Sequence, residues 1–377
     1  MIKKFLNPIY ITRPIFPDLD KFNEKLKTIW QSKILSNNGV QCQALEKKIS
    51  KILKVDNLQI FNNGTIALLV GLKSLHLSGE VITTPFTFPA TVNCLIWNNL
   101  TPVFCDIDKN TMNIDVNKIE SLITSKTSAI LAVHVFGTPC DVEKIQEIAN
   151  KHKLKVIYDA AHAFETEFNN KSIASFSDLT MFSFHPTKLF HTGEGGALVF
   201  KNTDVAAESR MLKNFGIKNE EEVIYCGING KINEIQSALG LLVLNCRNKE
   251  RKRRKLIKDT YQKMLVEIDG ISFVERNKSE TKSSYQYFVI RINKDKFGKS
   301  RNFVYEEFKK YNVFTRKYFY PLCSEYPYCK DLKSAEKVML PVANRVVEEV
   351  LAMPFYGGLK ISEVKKICNL LISFRNL

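Results

Sequence analysis

Seven short apolar stretches recur between helical patterns over the first 200 residues, at 58–61, 81–84, 101–106, 128–135, 154–159, 179–184 and 197–200. This alternation constrains the fold more than any other feature. Apolar runs of that length, each followed by a segment with helical spacing, predict an α/β architecture: a mostly parallel sheet covered by helices. The intervening segments support it. Residues 19–32 read as a helix, Leu45, Ile49 and Ile52 fall on one face of the next, and 142–151 reads as another.

After residue 200 the pattern changes. A loop at 225–230 feeds a long helix over about 232–266, followed by a strand-like run at 284–292, a helix near 301–311 and a final helix after Ser362. A chain of 377 residues is long enough for two domains. The expected division is a large domain with an N-terminal arm over 1–250 and a smaller α+β domain over 251–377.

With 45% apolar and 25% charged residues the chain reads as globular, and no apolar run approaches the ~20 residues of a membrane span. The first residues carry two lysines but no long apolar segment, so no signal peptide is expected. Nine scattered cysteines without zinc spacing point to reduced thiols, a cytoplasmic location and no metal site. The net charge of +16 allows two readings, nucleic-acid binding or an anionic small substrate. The densest basic run, Lys249 to Lys258, has helical spacing and no interleaved aromatics, and is read as a solvated helix face.

The chemistry gathers where strands end. The stretch Phe182-Ser183-Phe184-His185-Pro186-Thr187-Lys188 puts a lysine just past an apolar strand, with the Gly-rich 193–196 segment closing behind it. A lysine at the end of a rigid element, partly out of water, can be neutral and form a Schiff base with a carbonyl cofactor. The strand at 154–159 delivers Asp159 to its carboxyl end, in the crevice where open α/β sheets bind ligands, and His162 lies three residues on. At Asn63-Gly64-Thr65 a strand passes into a helix; Thr65 is placed to cap it, and its free N–H groups suit a phosphate. Phe88, in a Pro-rich loop, could stack on a flat ring or sit in the core. His134 reads as a hydrogen-bonded structural histidine. A lysine, a phosphate cradle, an acid for a ring nitrogen and an aromatic together are what pyridoxal 5'-phosphate requires.

These residues bring a family into view. Asn63 to Leu68, Pro85 to Thr91, Pro102 to Asp108, Asp159-Ala160-Ala161-His162-Ala163, Ser183 to Lys188, Gly193-Glu194-Gly195-Gly196 and Gly227 to Lys231 occur in the order found in the DegT/DnrJ/EryC1/StrS sugar aminotransferases, which the chain resembles over nearly its whole length. The resemblance implies the fold type I of pyridoxal-phosphate enzymes, with a seven-stranded type of sheet. It makes Lys188 the Schiff-base lysine and Asp159 the partner of the pyridine nitrogen. His162 falls near the 3-hydroxyl, Phe88 over the ring, and Gly64, Thr65 and Ser183 at the phosphate. Asn229 would reach the phosphate of the partner subunit, which places the site at a homodimer interface. His185, Lys317, Tyr318 and Tyr320 are candidate substrate contacts.

The implied reaction is a transamination in two steps, with pyridoxamine 5'-phosphate as the alternate cofactor form. L-glutamate donates the amine and a nucleotide-linked 4-keto-6-deoxyhexose accepts it, with dTDP-4-dehydro-6-deoxy-D-glucose the leading substrate, in surface-glycan or O-antigen sugar synthesis. A 3-keto sugar or a UDP- or GDP-linked one is the alternative, and nucleic-acid binding the alternative from another class. The chain departs from the family pattern at Asn63, Glu165, Phe215 and Lys231-Ile232. These departures bear on the substrate and leave the cofactor set intact.

Overall fold

The computed structural model describes residues 2–275 and 279–377. In chain order its strands are β1 (Leu58–Phe61), β2 (Glu80–Thr83), β3 (Thr101–Phe104), β4 (Thr127–Val133), β5 (Lys155–Asp159), β6 (Glu167–Phe168), β7 (Lys171–Ser172), β8 (Leu179–Ser183), β9 (Gly196–Phe200), β10 (Ile271–Phe273), β11 (Glu280–Lys282), β12 (Phe288–Ile292) and β13 (Val350–Met353). Seven form one sheet in the order β1-β9-β8-β5-β4-β2-β3. The pairs from β8 through β5, β4, β2 and β3 are parallel, and only β9 runs against its neighbours. The mostly parallel sheet expected from the alternation is therefore present.

The sheet is buried on both faces, as strands without a polar side require. Alternate residues of β5 feed opposite cores. Val156 and Tyr158 pack with Leu45 and Ile49 of the Val40–Leu53 helix. Ile157 packs with Leu68 and Leu72 of the Gly64–Ser74 helix.

A second unit is built on the antiparallel sheet β10-β12-β13. Phe288, Ile290, Leu351 and Met353 pack there against Val364, Ile367 and Leu371 of the Ile361–Ser373 helix. The N-terminal arm belongs to the same core. Phe5 and Ile9 are buried in it, and Ile9 exchanges backbone hydrogen bonds of 2.8 Å with Asn312 and Phe314. A third, smaller sheet joins β11, β6 and β7.

The helix Glu234–Leu265 crosses residue 250 without a break. Leu241, Val243 and Leu244 lie in the core of the large sheet, and Ile257, Tyr261 and Leu265 in that of the second unit. This explains its basic run, which is not the solvated face expected. Arg254 is 1% exposed, pairs with Glu250 at 2.6 Å and donates to the carbonyls of Tyr285 and Gln286. Arg253 donates to the carbonyls of Gly357 and Leu359, and Arg247 and Arg251 converge on the buried Glu165. These arginines tie the helix to the loops around it, while Lys249, Lys252 and Lys255 face solvent. No described helix is long and apolar enough to cross a membrane.

Candidate active site

A cavity of about 400 Å³ opens beyond the carboxyl ends of β5 and β8, within the roughly 300–1,000 Å³ of small-molecule sites. Lys188, Asp159, His162, Ser183, Gly64, Thr65, Phe88, His185 and Tyr318, widely spaced in sequence, all line it. Lys188 sits in the turn after β8, its N–H bonded to the His185 carbonyl at 2.9 Å. Burial lowers the Lys188 amine below the ordinary lysine range, with Tyr318 and Asp159 opposing the shift. The fold thus brings the amine closer to its neutral, nucleophilic form.

Asp159 is 4% exposed at the end of β5. Its Oδ1 accepts the Ala161 N–H at 3.0 Å and its Oδ2 the Thr91 hydroxyl at 2.7 Å. Thr91 is itself bonded to the Thr87 hydroxyl at 2.8 Å. Burial raises the Asp159 carboxyl, and the two hydrogen bonds and Lys188 pull it back towards the ionised form.

His162 is held between rings. It stacks parallel to Phe136 and Phe319, and Tyr287 meets it edge-on at 4.9 Å. Burial lowers its pKa well below the ordinary histidine value, so it is neutral. Its Nδ1 is buried without a hydrogen-bond partner among the described residues.

The helix start at Gly64 is assembled by two neighbours. Asn63, not Thr65 as expected, is the N-cap, its Oδ1 accepting the Ile66 N–H at 2.8 Å. The Gly64 and Thr65 N–H groups therefore stay without helical partners. Gly196 on β9 lets this segment approach, because a Cβ there would stand 2.7 Å from both the N and Cα of Gly64.

Phe88 caps the Pro89–Trp97 helix and is 54% exposed at the cavity rim, so it is not a core residue. His185 hydrogen-bonds the Thr187 hydroxyl at 2.8 Å and faces Glu194 at 3.6 Å. His134 is structural, as read: it is fully buried, its Nδ1 accepts the Cys140 N–H, and its ring lies tilted against Tyr158 at 4.4 Å.

Three candidates lie elsewhere. The Lys317 amine sits 4.5 Å from the Tyr305 ring and the Tyr320 ring 5.5 Å from the Arg301 guanidinium, both off the cavity wall. In this segment Arg316, Tyr318 and Phe319 line the cavity, and Lys317 and Tyr320 do not. Asn229 is exposed and bridges Asn214, apart from the cavity of its own chain. Conversely, Thr87, Tyr287, Arg316 and Phe319 line the cavity and were not singled out in the sequence. Tyr287, Arg316 and Phe319 arrive from the second unit, which no local motif could announce.

The description of the DegT/DnrJ/EryC1/StrS aminotransferase family matches residues 18–372. The chain belongs to that family. It is 44% identical over 367 residues, 97% of its length and 98% of the relative's, to a dTDP-4-amino-4,6-dideoxy-D-glucose transaminase of Escherichia coli. A transaminase of the same name from Shigella dysenteriae is 41% identical over 93% of this chain and 95% of its own. Among solved structures, DesI in the presence of its TDP-sugar product superposes with a TM-score of 0.93 at 31% identity, covering 98% of this chain and 93% of the other. This aminotransferase has the fold of pyridoxal-phosphate enzymes, and pyridoxal 5'-phosphate is its cofactor.

The cavity fits that group. An orphaned, buried imidazole nitrogen at His162 and a helix start bared by the Gly64–Gly196 contact both face the space in front of Lys188. Lys188 would hold the cofactor covalently. Asp159 would hold a proton on its ring nitrogen, and Gly64, Thr65 and Ser183 would hold its phosphate.

Proposed function

We propose that this aminotransferase moves the amino group of L-glutamate to C4 of dTDP-4-dehydro-6-deoxy-D-glucose, giving dTDP-4-amino-4,6-dideoxy-D-glucose. The observation that carries the reading is the 44% identity over 97% of the chain to a transaminase of that product. We further propose a homodimer in which Asn229 reaches the partner's cavity, a cytoplasmic location, and a role in surface-glycan or O-antigen sugar synthesis. The chain would divide into its two domains near 250/251, within the long helix.

Bound pyridoxal 5'-phosphate supplies a carbonyl that takes up the amine and a ring that accepts electrons. The chain's own groups do the rest. The Lys188 Nζ would take the proton from the substrate carbon and hold it for return. Asp159 would hold the proton on the ring nitrogen, with the Ala161 and Thr91 hydrogen bonds favouring its carboxylate form. His162 stays neutral, so its Nδ1 can accept or donate one hydrogen bond without adding charge. Phe88 at the rim would cover the ring from water, and Tyr318 and His185 would meet the sugar.

The test is turnover. Purified enzyme with glutamate and a panel of dTDP-, UDP- and GDP-linked keto sugars should aminate the dTDP-4-keto sugar fastest, with the product carbon assigned by NMR. Faster amination of a 3-keto sugar or a UDP- or GDP-linked one would overturn the assignment. Borohydride should fix the cofactor on Lys188, and Lys188→Ala should lose at least ~10³-fold in rate while still binding cofactor non-covalently.

A further inference from the structure

The lysine-bearing turn is tied to the second unit by the side-chain amide of Gln286. Gln286 lies just before β12 and is 3% exposed. Its Oε1 accepts the Leu189 N–H at 2.7 Å, and its Nε2 donates to the Thr187 carbonyl at 2.9 Å. The two bonds fall on the residues immediately before and after Lys188. They pin both peptide units that set the direction of its Cα–Cβ bond. On its other side, the Gln286 carbonyl accepts a hydrogen bond from Arg254, which is locked to Glu250 on the long helix.

We infer that Gln286 is a positioning residue for Lys188, coupling the second unit to the catalytic amine. The inference rests on the proposed role of Lys188. The hydrogen bonds inside the turn, Lys188 N–H to the His185 carbonyl and those between His185 and Thr187, do not fix it against the second unit. A primary amide suits the task because it presents one acceptor and one donor in a fixed plane, which matches an N–H and a C=O flanking one residue. A misplacement of about 1 Å at a reacting group costs on the order of 10²-fold in rate, so a clamp on the backbone of Lys188 acts on kcat more than on substrate affinity.

Gln286→Met keeps the volume and removes both bonds; Gln286→Glu keeps an acceptor for Leu189 and loses the donor to Thr187 while ionised. For Gln286→Met, kcat should fall about 10- to 100-fold with KM changed less than about threefold. The pH midpoint of the bound cofactor's absorbance should rise by up to about one unit, because a loosened lysine gains water and water favours its charged form. Gln286→Glu should fall between Gln286→Met and wild type in both readouts. Cofactor-free protein of all three forms should unfold at similar urea concentrations, which separates positioning from folding. If the urea midpoints match while kcat and the absorbance titration stay at wild-type values, the clamp is not functional. A loss shared by folding, KM and kcat alike would also overturn the positioning role. If borohydride fails to fix the cofactor on Lys188 in the wild type, the underlying reading of the site fails instead, and the two failures are told apart by peptide mapping.

Discussion

The Thr91 hydroxyl donates a 2.7 Å hydrogen bond to Asp159 Oδ2, from a helix that begins just after the rim residue Phe88. Asp159 needs such support. It is buried enough for its carboxyl to be pushed up, and an acid that protonates can no longer hold a proton on a ring nitrogen. Thr87 completes the chain by bonding Thr91, so the loop that carries the aromatic also steadies the acid.

Removing that support gives a pH-dependent outcome. A hydrogen bond to a charged group stabilises the ionised form, so its loss raises the pKa. Thr91→Val should shift the acid limb of the kcat profile upward by roughly one to two units, since such a bond contributes about 1.5–3 kcal/mol. Asp159→Asn should cost about 10²-fold or more at every pH while retaining cofactor. Rate profiles across pH 5–9 check both, and an unmoved acid limb in Thr91→Val would contradict the link.

Gly196 tests the phosphate cradle. Its missing side chain lets β9 lie against Gly64, and an added Cβ would stand 2.8 Å from the Asn63 carbonyl carbon as well. Gly196→Ala must push the helix start away from the cavity. Cofactor affinity should fall about tenfold or more, a loss of roughly 1.4 kcal/mol, measured by fluorescence titration of the cofactor-free protein. Unchanged affinity would mean that this close approach does not shape the cradle.

Lys213 carries a cost the fold bears away from the cavity. Its amine donates to the Ile60 carbonyl at 3.1 Å, and burial lowers its pKa to about 8. The unfolded chain would hold this proton up to about 10.5. Below pH 8 both states are protonated and the folded state carries the full penalty. As pH rises from 8 to 10.5 the folded state sheds the proton first and gains relative stability. Lys213→Met should therefore be more stable at pH 7 by roughly 1–3 kcal/mol, an advantage that shrinks towards pH 10. Urea unfolding at the two pH values decides it; a constant difference would remove burial as the cause.

Much of the site was legible because its parts sit at strand ends. Burial on both sheet faces writes continuous apolar runs into the chain, and whatever follows each run must emerge on one edge. Lys188, Asp159, His162 and Gly64-Thr65 could be placed on that rule. The cap at Asn63 was misassigned to Thr65 because a cap's position shifts by a residue or two without changing the local pattern.

Contacts between distant segments were not legible. Nothing in the run from Lys249 to Lys258 tells that Arg254 turns inward to meet Glu250 and the Gln286 carbonyl while Lys252 and Lys255 stay outside. Nor does Gln286, 98 residues from Lys188 (286 − 188), signal that its amide brackets that lysine. The sequence by itself determined the sheet, the order of the functional segments and the chemistry they offer, because those depend on periodicity and residue type. Only the tertiary structure decided which side chains meet across the two units. Packing, not local propensity, sets the direction of a buried amide or guanidinium, and a hydrogen bond of 2.7 Å between residues far apart leaves no trace in either neighbourhood.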